Sequence, residues 1–174
     1  MATIKVPNSY LEPGGQGGIF PAGWYKGALE APSEGQDRIR AMPWDETERR
    51  LSLRFGENTA IDGADPGQQK LFVDITVEAG GYNFETMSDA PDNARIGLDI
   101  SLRLLTQLAT AWGWTTENGS GELEVPVDDF IAALDSGTLD GQSATFQTYH
   151  KKYYSKKNER NETAVNVRQF VATT

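Results

Sequence analysis

The chain has 174 residues, 38% of them hydrophobic, and a formal net charge of −9, which suits one domain built around one core. It has no cysteine and a single histidine, His150, so disulfides, cysteine-based metal sites and multi-histidine metal centres are excluded. No apolar run approaches the roughly 20 residues that span a bilayer, and Met1 to Pro7 lack the apolar segment of a secretion signal, so a soluble cytoplasmic protein is expected.

Residues 1–21 read as an extended N-terminal arm, because Pro7, Pro13, Gly14, Gly15, Gly17, Gly18 and Pro21 oppose a long helix or a regular central strand. Gly23 to Ala31 reads as a first strand, ended by Pro32. Ser33 to Arg50 is polar and charged, which predicts a loop with a short helix or strand at most. Leu51 to Phe55 alternates apolar and polar residues, the pattern of a half-buried strand. Asn58 to Gln69 carries the turn signals Asp62-Gly63 and Asp65-Pro66-Gly67. Leu71 to Glu78 puts Leu71, Val73, Ile75 and Val77 on one face of a strand. Gly80-Gly81 then turns the chain, and Tyr82 to Met87 is expected to pair back as a hairpin.

The period next becomes helical, with Leu98, Leu102, Leu105, Ala109 and Trp112 on one stripe between Asp92 and Trp112. Ser88, Asp89 and Asp92 offer N-caps, and Gly113 a stop. A polar loop follows over Thr116 to Gly121, then a short helix over Val127 to Asp135. Gln142 to Tyr154 and Thr163 to Val171 read as two strands joined by a soluble turn. Strands, two helices and a closing hairpin predict an α+β, mainly β fold. The expected form is an OB-like small barrel of about five or six strands, with a helical insert before the closing hairpin. Residues 22–174 are expected to form this single domain.

Catalytic constellations are weak. Asp128-Asp129 and Asp45-Glu46 are adjacent carboxylates, but neighbours on a helix diverge, and Asp128-Asp129 sit at a helix N-terminus where the dipole explains them. Gly14-Gly15-Gln-Gly17-Gly18 has no following Lys-Ser/Thr and no preceding strand, unlike a phosphate loop. A non-enzymatic protein without cofactor or metal is expected.

The charge is unevenly spread. Residues 147–174 hold six basic and two acidic residues, a net +4, against −13 for the rest. Within that basic pole, alternation places Tyr149, Lys151 and Tyr153 on one face of a strand and His150, Lys152 and Tyr154 on the other. Lys156, Lys157 and Arg160 follow. Aromatic rings beside cations suit single-stranded nucleic acid, where bases stack and phosphates are neutralised. Aromatics are also ordinary strand formers, and lysines also protect sheet edges; the acidic body tips the balance toward binding. Trp24, Tyr25, Trp44 and Arg168 could extend the groove, with one of Trp24 and Tyr25 in the core. Trp112 is expected in the core and Trp114 over the helix end.

Three segments together resemble a family of small phage-encoded proteins from replication and recombination clusters. They are Pro21-Ala-Gly-Trp-Tyr-Lys26, the helix from Leu102 to Gly113, and Asp140-Gly141 through Tyr154 to Asn161-Glu162-Thr-Ala-Val165. The glycine-rich first 20 residues and the stretch Ser33 to Arg50 depart from that pattern. The resemblance implies single-stranded DNA binding on an OB-like core, with phage replication or recombination proteins as further partners. A second class remains open: a phage structural or assembly protein that self-associates through residues 1–21.

Overall fold

The computed structural model describes residues 19–173; the expected arm therefore lies almost wholly outside the described residues. Among these residues, eight strands and two α-helices run in the order β1 (Gly23–Glu30), β2 (Ile39–Met42), β3 (Asp45–Gly63), β4 (Leu71–Glu78), α1 (Asp92–Ala111), β5 (Thr116–Glu117), β6 (Leu123–Glu124), α2 (Val127–Asp135), β7 (Ser143–Ser155) and β8 (Arg160–Val171). The protein is thus α+β and mainly β. Six strands form one antiparallel sheet, and β5 and β6 form a separate small hairpin.

The organising strand is β3. Its Phe55 is paired to Leu29 of β1 on one side and to Leu71 of β4 on the other. β2 continues the β1 side further back along β3, through Ile39↔Leu51. The chain from β1 leads on through β7 to β8, so β4 and β8 are the outer strands. Bulges interrupt the β1–β3 register on either side of Tyr25-Lys26, which bends and twists the pair. At the second bulge Glu57 has φ 52°. The Asn58 side chain fills the space there, donating to the carbonyls of Phe55 (2.9 Å) and Gln69 (3.0 Å). Gly27 is required opposite it, because a Cβ would lie 2.0 Å from Asn58 Oδ1.

Among the described residues the sheet does not close by strand pairing. Instead α1 packs against both β4 and β8. Its Ser101 hydroxyl accepts from the Thr76 amide of β4 (2.8 Å), and its Gln107 carbonyl accepts from the Phe170 amide of β8 (3.0 Å). One helix therefore occupies donors on both sheet edges, which blunts edges that would otherwise recruit further strands. Leu98, Leu105 and Ala109 are buried as the stripe predicted, together with Leu104 and Leu108; Leu102 is only half-buried. Beneath lies an aromatic cluster, in which Tyr25 meets Phe20 edge-on at 4.8 Å and Phe55 lies 5.6 Å from Phe146 and 5.7 Å from Phe170. Trp112 and Trp114 are both half-buried against Phe130 of α2. The Trp112 indole N–H donates to the Ser143 carbonyl (2.8 Å), a polar partner that keeps the ring at the core's rim.

Four local expectations need correction. Asp45 to Arg50 is strand, part of the 19-residue β3, and Pro43-Trp44 is a two-residue turn between β2 and β3. Its charged side chains suit a hairpin that extends past the core into solvent. Just before β2, Arg38 is buried, paired with Asp140 and donating to the carbonyls of Glu30 and Leu134. Tyr82 to Met87 forms no strand beyond one bridge to Ala79, because Asn83 Oδ1 accepts from the amides of Glu85 and Thr86 and turns the chain. Thr116 to Gly121 begins the small β5–β6 hairpin. Finally, α1 starts after Pro91 with no side-chain cap.

Candidate nucleic-acid interface

Pairing between β1 and β7 stops at Gly23↔Thr148. From there β7 continues to Ser155, and among the described residues it pairs only with β8, from Tyr149↔Asn166 to Ser155↔Arg160. The result is a two-stranded ribbon of seven residue pairs, roughly 20 Å long at the usual rise per residue. Ala144, Phe146 and Thr148 are buried, which fixes the even-numbered residues of β7 on the core side. Beyond the core both faces meet solvent, and Lys151, Lys152, Tyr153 and Tyr154 are all exposed.

The register assigns each face its neighbours. Tyr149, Lys151 and Tyr153 lie opposite Asn166, Ala164 and Glu162, while Lys152 and Tyr154 lie opposite Thr163 and Asn161. Trp24 pairs with Gln147 on the Tyr149 face and is half-buried. The structure thus brings Trp24, Tyr149, Lys151 and Tyr153 onto one surface. Tyr154, 60% exposed, belongs to the other face with Lys152. On the core side, His150 Nε2 lies 2.8 Å from the Phe20 carbonyl and Thr148 Oγ1 donates to the Pro21 carbonyl (2.8 Å). These contacts tie the ribbon's base to the chain entering β1.

The cations divide into two sets. Lys151, Lys152, Lys156 and Lys157 are exposed and make no ion pair among the described residues. Arg160 instead donates to Glu162 (3.3 Å), and Arg168 lies over the Tyr149 ring, 4.7 Å from its centroid. Glu162 is a hub that sequence reasoning missed: its other oxygen accepts from the Tyr153 hydroxyl (2.9 Å), and Asn158 also donates to it. These bonds, from Asn158 first and then Tyr153 and Arg160, lower the Glu162 pKa. The hydrogen bond to Glu162, and then its charge, raise that of Tyr153. Only the strand register, which sets Glu162 opposite Tyr153 across the turn, reveals this cluster.

Two expected contacts fall away from this surface. Tyr25 is fully buried, its hydroxyl donating to the Ala64 carbonyl (2.8 Å). Its pKa is raised by burial and then by the charges of Asp62 and Asp65. It belongs to the core because its side of β1 faces the aromatic cluster. Trp44 is 68% exposed, with Arg50 over its ring, but it sits at the far end of the sheet. β3 runs from Arg54, opposite Glu30, back to Asp45, whereas the ribbon leaves beyond the Gly23 end of β1. Trp44 therefore does not join the ribbon's groove.

No group of three or more residues able to hold a metal ion occurs among the described residues. No described helix is long and apolar enough to cross a membrane. The fold and this surface define a mainly β α+β protein that carries a basic, aromatic β-ribbon on an acidic body. Compared with known proteins, the chain matches no family model, no curated protein and no solved structure.

Proposed function

We propose that this protein binds single-stranded DNA, with little sequence preference, in phage replication or recombination. The observation that carries the reading is the ribbon, where tyrosines alternate with unpaired lysines and both faces are open to solvent. Unstacked bases lie on Tyr149 and Tyr153, with Tyr154 reachable from the opposite face. Phosphates meet Lys151, Lys152, Lys156 and Lys157, and the −9 molecule presents this pole as a surface attractive to a polyanion. Base stacking on aromatics is worth about 1–3 kcal/mol per base, enough for two or three rings to support useful affinity beside phosphate contacts. An OB-like ancestry for the bent sheet, with α1 standing where a barrel's closing seam would be, belongs to the same proposal. So does the assignment to phage replication or recombination, which rests on the sequence resemblance.

The test is a competition between single- and double-stranded oligonucleotides of one sequence, followed by intrinsic fluorescence at low salt. Preferential binding of the single strand, weakened by added salt, is expected. Equal binding of both forms, or none at micromolar protein, would refute the reading.

A further inference from the structure

Beside the ribbon's base, α1 and β8 enclose a groove of about 310 Å³, at the lower end of the range for small-ligand pockets. We propose that it holds one unstacked nucleotide of the bound strand, an inference that rests on the single-stranded DNA reading. Its floor is apolar: Leu104 and Val167 are buried there, while Ile100 is 53% exposed. Two arginines frame it, Arg103 from the helix and Arg168 from the strand.

The arrangement follows from a break in the ladder. Gln147 pairs with Gln169 but Thr148 pairs with Val167, so Arg168 is an extra residue in a bulge. A bulge re-aims a side chain, and here the guanidinium lies over Tyr149, another wall of the groove. Across from it, Arg103 is paired with Asp99 (2.7 Å), and no carboxylate is among the described residues lining the groove, so the two arginines and Asp99 leave a local charge of +1. Gln107 completes the wall, its carbonyl already held by the Phe170 amide, so its amide N–H2 is the end left to donate. An apolar floor, a ring–guanidinium stack and donors at the rim are the chemistry of a base with a phosphate attached. The groove also continues the Tyr149–Lys151–Tyr153 surface, so a strand leaving the ribbon would reach it without crossing the acidic body.

The direct test titrates the 15N-labelled wild type with thymidine 5′-monophosphate and follows amide shifts. Shifts centred on Gln107, Tyr149 and Arg168, abolished by Ile100→Glu, are expected. The absence of shifts at millimolar nucleotide, or shifts confined to the lysines of the turn, would overturn the subsite. A parallel anisotropy titration uses labelled oligo-dT with Ile100→Glu and, as a second variant at an exposed helix position, Arg103→Gln. Each is expected to weaken binding about tenfold, the loss of one stacked base or its phosphate. If the wild type binds the oligonucleotide and both variants match it, the subsite is wrong and the strand reading survives. If the wild type binds no oligonucleotide yet shows the mononucleotide shifts, the pocket stands and the strand reading falls.

Discussion

Replacing Lys151, Lys152, Lys156 and Lys157 together by glutamine isolates the electrostatic part of the proposed interface. All four are exposed and free of ion pairs among the described residues, so the fold should lose nothing on their neutralisation. Each phosphate neutralised on a single strand contributes about 0.7 to the slope of log K against log salt. Four lysines acting together would therefore supply a slope of about 2.8, and the variant should lose it. Between about 50 and 200 mM salt, that difference changes the affinity ratio of wild type to variant by roughly 50-fold. Fluorescence anisotropy with labelled oligo-dT across that range measures both slopes, and a thermal melt checks that the fold is intact. A slope that falls by less than about 1 would mean that the ribbon does not carry the phosphates. The bound strand, if any, would then lie elsewhere.

Four further outcomes follow from particular contacts. Glu162→Gln releases Arg160 and removes the carboxylate whose hydrogen bond, and then whose charge, raises the Tyr153 pKa. Tyr153, followed by ring 13C NMR, should ionise at lower pH than in the wild type, and oligonucleotide affinity should rise; an unchanged titration would refute the hub. Arg38→Ala leaves the Asp140 carboxylate and two carbonyls without their partner. Breaking such a pair costs about 3–5 kcal/mol; because Asp140 keeps some solvent contact, the lower end applies, and a thermal melt should drop by at least about 6 °C. Tyr25→Phe removes the bond to Ala64 and should cost about 1–2 kcal/mol without altering strand affinity. Because the Tyr25 pKa is raised by folding, its contribution is present below pH about 10 and fades as pH rises toward the folded value. The stability gap between wild type and Tyr25→Phe, from urea melts, should therefore narrow in strong alkali. Trp44→Ala should leave the affinity for oligonucleotides that cover only the ribbon unchanged, and a loss in the same anisotropy assay would contradict the placement of Trp44 at the opposite end.

What could be read from the chain alone followed from periodicity. β4 and α2 lie where Leu71 to Glu78 and Val127 to Asp135 place them, and α1 ends one residue before the Trp112 expected. Their patterns are local, and burial of one face decides them. The alternation of Tyr149 to Tyr154 was legible for the same reason, because a strand's two faces are fixed by parity alone. What stayed hidden depends on partners distant in sequence. Tyr25 and Trp24 are adjacent and equally aromatic, and only the aromatic cluster of Phe20, Phe146 and Phe55 decides which one is buried. Arg38 looks like any charge in a polar stretch until β1, α2 and the turn at Asp140 converge on it. Arg168 is one more cation of the basic pole in the sequence, and only the bulge shows that it lies over Tyr149 at the groove wall. The same division applies to the ribbon's charge. Composition counts six cations there, but register engages Arg160 with Glu162 and Arg168 with Tyr149, which leaves the four lysines as the free ones among the described residues. A strand-binding surface is therefore defined less by how many positive charges a segment holds than by which of them the fold leaves unspent.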